Sequence, residues 1–227
     1  MKKKSNIWII LSVIMIVVAM VLVGRALTRS FDAKAYVASV LDLTYHGKVD
    51  KAANIMEGVT EEELCEQYEA GVVSFVKGNI LSGVETTEEE EAKFIALGKQ
   101  IFDAMKYEVR TEHEVASKHY EVTVTYEPSN VFKLYVTYVQ EKTQEISDKV
   151  ETGEYKGTVE EINAQMEKEF MDAAYSLLEQ AYNNMEYGEA EEMIFNVKAE
   201  ESDLYQLDSE ELRQLMIKIM GLDQIQD

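Results

Sequence analysis

One proline, one cysteine and three histidines occur in 227 residues, and each shortage removes a class of explanation. A lone Cys65 forbids an internal disulfide and a cysteine-rich metal site. The single Pro128, with no Ser/Gly-rich, Gln-rich or repeating segment around it, excludes a flexible stalk. With only His46, His113 and His119 available, a catalytic triad or a histidine-rich metal centre has little material to draw on. Calcium loops of the D-x-D/N-x-D/N-G kind are absent. Gly71 and Gly78 fall inside helical stripes and not between a strand and a helix, so they form no phosphate loop. No cofactor is expected.

Basic charge is scarce after the N-terminus. The first thirty residues hold three Lys, two Arg and no acid, which leaves 17 basic against 43 acidic residues beyond Ser30, a net of −26. Nucleic acid binding rests on Lys and Arg neutralising backbone phosphate, so this surface excludes it, and anionic lipid is repelled as well. The acidity reads first as solubility. With so many carboxylates, some pair comes within glycosidase distance by chance, so paired acids carry almost no signal for a hydrolase.

What is present is one long apolar run, Ile7 to Gly24, entered from Lys2, Lys3 and Lys4 and left at Arg25. Eighteen helical residues rise roughly 27 Å, close to the ~30 Å hydrocarbon core of a bilayer. A cleaved secretory signal normally has an apolar region of only about 7 to 15 residues, and Gly24-Arg25-Ala26 is an imperfect cleavage triplet. A lipoprotein leader needs a cysteine after Leu22-Val23-Gly24, and Arg25 stands there. An uncleaved signal anchor fits best, with residues 1–6 as a cytoplasmic stub, 7–24 as the membrane span and 31–227 as an extracytoplasmic domain. Lys2 to Lys4 outweigh Arg25 and Arg29, which keeps the N-terminus in the cytoplasm. The lipid bilayer is thereby the first expected partner, and all function lies outside the cell membrane.

The acidic clusters of that domain resolve into helix starts. Thr60 with Glu63, Thr87 with Glu90, Thr158 with Glu161, and Asp208 with Glu211 fit the capping box, and Glu61 to Glu63 and Glu88 to Glu91 suit first turns. Helical stripes follow each: Leu64, Tyr68, Val72, Phe75; Phe94, Leu97, Ile101, Met105; Ile162, Met166, Phe170, Ala173, Leu177; Leu212, Leu215, Met216, Ile219. Further helices are expected over Asp32 to Tyr45, ending at Gly47, over Asp50 to Met56, and from Ser129 through Phe132, Tyr135, Val136 and Val139. Cys65, on the first stripe, reads as a buried structural thiol. His46, beside Gly47 at a helix end, suits the dipole there.

Between Lys106 and Pro128 the period changes to two, which predicts a β-hairpin turning at Ser117 and Lys118. In that register Val115 opposes Tyr120, His113 opposes Val122, Thr111 opposes Val124 and Val109 opposes Tyr126, with His113 on the apolar face and His119 on the other. A third strand over Glu191 to Ala199 and a short fourth over Leu204 to Leu207 follow. The fold class is α+β: mostly helical, one domain, with a small three- to four-stranded antiparallel sheet carrying helices on one face.

Thirteen tyrosines occur, and Tyr120, Tyr126, Tyr135 and Tyr138 fall in the hairpin and the helix after it. Tyrosine offers an apolar body with a polar tip, so these four form the candidate face for an envelope protein or glycan partner. The expected function is a membrane-anchored, non-catalytic binding domain; the alternative is a cell-envelope hydrolase using paired carboxylates.

Leu41, Tyr45 and Gly47 in the first helix, the segment Val59-Thr60-Glu61-Glu62-Glu63, the strand Tyr120-Glu121-Val122-Thr123-Val124, and Met185-Glu186-Tyr187-Gly188-Glu189 together carry a resemblance. Over Asp32 to Leu222 the chain resembles extracytoplasmic proteins, often lipoproteins, of clostridial Gram-positive bacteria, a family with no assigned activity. The resemblance implies an envelope location and transfers no functional residue. Arg25, where relatives carry the lipid-bearing cysteine, is the departure, and it implies a helix in place of a lipid anchor.

Overall fold

The computed structural model describes residues 23–25, 31–56, 58–82, 86–199 and 204–225. In chain order these form β1 (Val23–Arg25), α1 (Ala33–His46), α2 (Val49–Ile55), α3 (Glu61–Phe75) running into a π-helical turn (Val76–Ile80), and α4 (Glu88–Asp103). The hairpin β2 (Lys106–Ala116) and β3 (His119–Glu127) follows, then α5 (Val131–Glu151), α6 (Val159–Asn183), β4 (Glu191–Ala199), β5 (Leu204–Leu207), α7 (Ser209–Ile219) and a 3-10 turn (Leu222–Ile225). The class is α+β, as the periodicity predicts.

Local chemistry sets these boundaries. Thr60, Thr87 and Thr158 each accept the N3 amide while Glu63, Glu90 and Glu161 return a carboxylate to the cap, so three capping boxes close as read. The fourth does not. Asp208 caps the amide of Glu210, and Glu211 turns instead to Asn196 on β4. At the end of α1, Gly47 adopts φ 61°, and a side chain there would also strike the ring of Tyr68.

The sheet order is β1-β5-β4-β3-β2, antiparallel throughout. Its body is the four strands β2 to β5, and the three-residue β1 adds a fifth that the sequence pattern does not predict. Val23 and Gly24, at the end of the apolar run, pair with Gln206 and Tyr205 and cover the outer edge of β5. The rest of the span over 7–24 lies outside the described residues. Among the described residues no helix is long and apolar enough to cross a membrane.

The hairpin turns where predicted, with Ala116 opposite His119, and then slips twice. Bulges near Val115 and Arg110 put Glu112 opposite Val122, His113 opposite Glu121, Val109 opposite Val124 and Tyr107 opposite Tyr126. The predicted register therefore holds only at the turn. Between the bulges the faces are exchanged, so His113 points outward and Glu112 inward. Glu112 is used there: it accepts the backbone amide of Lys34 at 2.6 Å, while Lys34 Nζ donates to the carbonyl of Arg110 at 2.8 Å, tying α1 to the bulged edge. Bulges and charges on β2 also blunt the free edge of the sheet.

One contiguous core joins the helices to a single face of the sheet. Its sheet members are Val122, Val124, Tyr126, Phe195 and Val197, and its helical members run from Tyr36 and Leu41 on α1 to Leu215 and Ile219 on α7. The stripes of α3, α4 and α7 supply buried side chains as read, but on α6 the buried positions are Ala174, Leu178 and Ala181, one residue on from Ala173 and Leu177. Cys65 corrects another expectation: it is exposed, since one residue turns it about 100° away from the buried Leu64.

Candidate functional site

The helix α3 loosens at its C-terminal end. Over Val76–Ile80 the backbone takes the wider π pitch, with the amide of Leu81 donating to the carbonyl of Val76 at 2.9 Å. Two facts in the sequence allow it. Gly78 and Asn79 are poor helix formers, and Gly98 on α4 has no side chain to displace Val76, whose Cγ2 lies 2.7 Å from where a Cβ would stand. Asn79 lies within the widened turn. Its Nδ2 donates to the carbonyl of Phe75 at 2.9 Å, which fixes the amide orientation, and its Oδ1 is buried without a partner.

Asn79 also borders an apolar slot of about 50 Å³, though its Oδ1 itself is closed off from solvent. The π-helical turn contributes Asn79, Ile80 and Leu81; α4 contributes Phe94 and α5 Tyr135 and Val139. The helix α6 contributes Phe170, Met171 and Ala174, and the turn after α7 contributes Leu222 and Ile225. Five segments distant in sequence meet here. Burial pushes the Tyr135 hydroxyl up to about 12, so the ring serves the slot as a neutral wall. The unpaired buried carbonyl of Asn79 costs about 1 to 3 kcal/mol.

The four tyrosines named from the sequence do not form one face. Tyr126 is 1% exposed and donates its hydroxyl to Glu191 at 2.7 Å, which removes it from any contact surface. Tyr120, six residues along β3 and so roughly 20 Å away, packs with Phe31 and Tyr205. Tyr138 accepts a hydrogen bond from Asn184 beside α6. Only Tyr135 reaches the slot. Alternation and helical spacing placed them on core-facing stripes, and the core took Tyr126.

Outside the slot, Thr125 Oγ1 and Ser129 Oγ are likewise buried without a hydrogen-bond partner, whereas His46, His119, Glu169 and Glu211 are engaged. His46 Nδ1 bonds Asp103 at 2.8 Å and its ring stacks on Tyr107. His119 Nε2 donates to Asn196 Oδ1 at 2.9 Å, and Asn196 donates through both its nitrogens to Glu211. Burial raises the Glu211 carboxyl above its ordinary value, while Lys142, Lys149 and Tyr155 together hold Glu169 down at about 2. His113 and His119 share the outer sheet face, contrary to the predicted register, yet among the described residues no group of three or more His, Cys, Asp or Glu is placed to hold a metal ion.

Asn79 and Met171 were not singled out by the sequence pattern, and Phe170 was read only as part of a helical core stripe. The one signal was a Gly-Asn pair inside an otherwise continuous helical run. No protein-family profile, no curated protein and no solved structure matches this chain.

Proposed function

We propose that this chain is an outward-facing binding module tethered to the cell membrane by its N-terminal apolar run, and that it recognises an envelope partner without catalysis. The observation that carries the reading is the slot: concave and apolar, with Asn79 and Tyr135 as the polar residues of its lining. Binding sites combine apolar lining with a few placed polar groups in this way. The apolar run and its basic flank support the tether, and the resemblance to extracytoplasmic clostridial proteins supports the location.

The rival, a hydrolase using paired carboxylates, needs an acid of raised pKa in a cleft. Glu211 is raised, but both of its oxygens are engaged by Asn196 and it does not line the slot. Purified full-length protein incubated with wall glycans and envelope peptides separates the two readings. Saturable retention without turnover is expected. Turnover that disappears when a single acid is replaced by its amide overturns the binding reading.

A further inference from the structure

We infer that the stretch of β4 from Glu191 to Phe195, which β5 does not cover, accepts an extended basic segment of a partner protein as an added strand beside Ile194. No residue of β4 lines the slot, so the site is a separate one, but it rests on the same reading of the chain as a binding module. Three observations carry it.

Backbone pairing is the first. β4 lies against β3 from Glu191 to Lys198, but on its other side β5 covers only Val197 to Ala199. The amide of Asn196 points to that other side, where Glu211 accepts it, while the amide of Ala199 points back to the carbonyl of Lys118 in the hairpin turn. Amides alternate along a strand, so those of Glu192 and Ile194 point the same way as that of Asn196. Among the described residues neither finds an acceptor there. An open row of backbone donors and acceptors is what an added strand pairs with. The free edge on β2 is broken by bulges, whereas the register of β4 on β3 is continuous.

The second is an exposed apolar side chain. Ile194 is 52% exposed on the sheet face away from the core, while its neighbours Met193 and Phe195 turn to the core. A residue beside it on an added strand would cover it. Local charge is the third. Glu186, Glu189, Glu191 and Glu192 are all exposed on β4 or the segment that enters it, and among the described residues none is ion-paired with Lys or Arg. Glu145, Glu169 and Glu210, by contrast, each have such a partner. Lys or Arg on an incoming segment therefore meets unpaired negative charge at this edge, and an acidic segment is repelled. The same charges guard the edge against indiscriminate pairing.

The test uses ¹⁵N-labelled full-length protein in a neutral detergent, with the Ile194 amide signal followed. Three blocked peptides are titrated: Lys-Val-Ile-Val-Lys, Glu-Val-Ile-Val-Glu, and the first with its three central amides N-methylated. A saturable shift of the Ile194 amide and at least tenfold slower hydrogen exchange there are expected with the first. Binding of the other two should be at least tenfold weaker. Glu189→Lys combined with Glu192→Lys should reverse the preference between the first two peptides. Ile194→Pro removes the outward N–H at a strand edge, a position where proline is tolerated. It should weaken the first peptide about tenfold, read by the anisotropy of its fluorescein-labelled form, whereas Ile194→Val should bind as the wild type does. An Ile194 amide that no peptide moves or protects overturns the site and leaves the acids as guards of the edge. Equal binding of the acidic peptide overturns the basic partner, and equal binding of the N-methylated peptide overturns strand addition. A peptide that moves the Met171 signal in the slot and not the Ile194 amide overturns the edge site while leaving the binding-module reading standing.

Discussion

Glu211 on α7 accepts two hydrogen bonds from Asn196 on β4, one from the backbone amide and one from the side chain, both at 2.7 Å. Asn196 comes just before Val197, where β4's pairing with β5 ends. The carboxylate therefore takes the place of the missing strand and ties α7 to the sheet. Glu211→Gln keeps the size but turns an NH₂ toward one of the two donors. A loss of about 1 to 3 kcal/mol is expected, the cost of a buried donor left unsatisfied. A lowered urea midpoint with unchanged slope checks it; an unchanged midpoint contradicts it.

A second prediction concerns acid. Lys142 and Lys149 donate to Glu169 at 2.7 and 2.5 Å and Tyr155 at 2.6 Å, linking α5 to α6 and holding the carboxyl down at about 2. A carboxylate depressed in the folded state contributes stability above its unfolded value near 4.5 and loses it as pH falls through its folded value. The groups are partly solvated, so the contribution is on the order of 0.5 kcal/mol. Melting curves of wild type and Glu169→Gln should differ at pH 6 and converge toward pH 2. A difference that persists at pH 2 would count against the ion-pair account.

Two tyrosines that the sequence treats alike should behave differently. Removing the Tyr126 hydroxyl deletes the bond between a ring that is 1% exposed and the solvent-exposed Glu191, so Tyr126→Phe should cost about 0.5 to 1.5 kcal/mol. Tyr138 bonds Asn184 at 3.2 Å in an exposed setting, and Tyr138→Phe should be nearly neutral. Thermal unfolding of the two variants compares them directly, and equal losses would remove the distinction.

Cys65 is the only cysteine and is exposed on α3, which makes it a native reporter of topology. A membrane-impermeant maleimide should label it in intact cells, with Cys65→Ser as the unlabelled control. Labelling that requires permeabilised cells would reverse the orientation.

The helix starts were legible because a Thr and a Glu three residues apart meet through local backbone geometry alone. Thr60, Thr87 and Thr158 depend on nothing outside their own first turns. Asp208 reads the same way yet fails to close a box, because Asn196, remote in sequence, offers Glu211 two donors at once. The hairpin was legible as a hairpin but not in register. Each bulge adds one residue to β2 without breaking the alternation of β3, and one residue is enough to reverse His113. The slot was not legible. Its walls come from five segments, and the π-helical turn that borders it packs Val76 where only a glycine, Gly98 of a different helix, leaves room. Cys65 and the α6 stripe show the same limit at finer scale: 100° of rotation separates a buried position from an exposed one, and the apolar pattern tolerates either.

The claim that the slot is an apolar receptor already open to an occupant is tested most directly with xenon, a probe with no charge and no hydrogen bond. Under increasing xenon pressure the Met171 methyl resonance of the full-length protein should shift and saturate, and in Ala174→Leu it should stay still. A Met171 signal that ignores xenon in the wild-type protein, or that responds equally in both, would contradict the account.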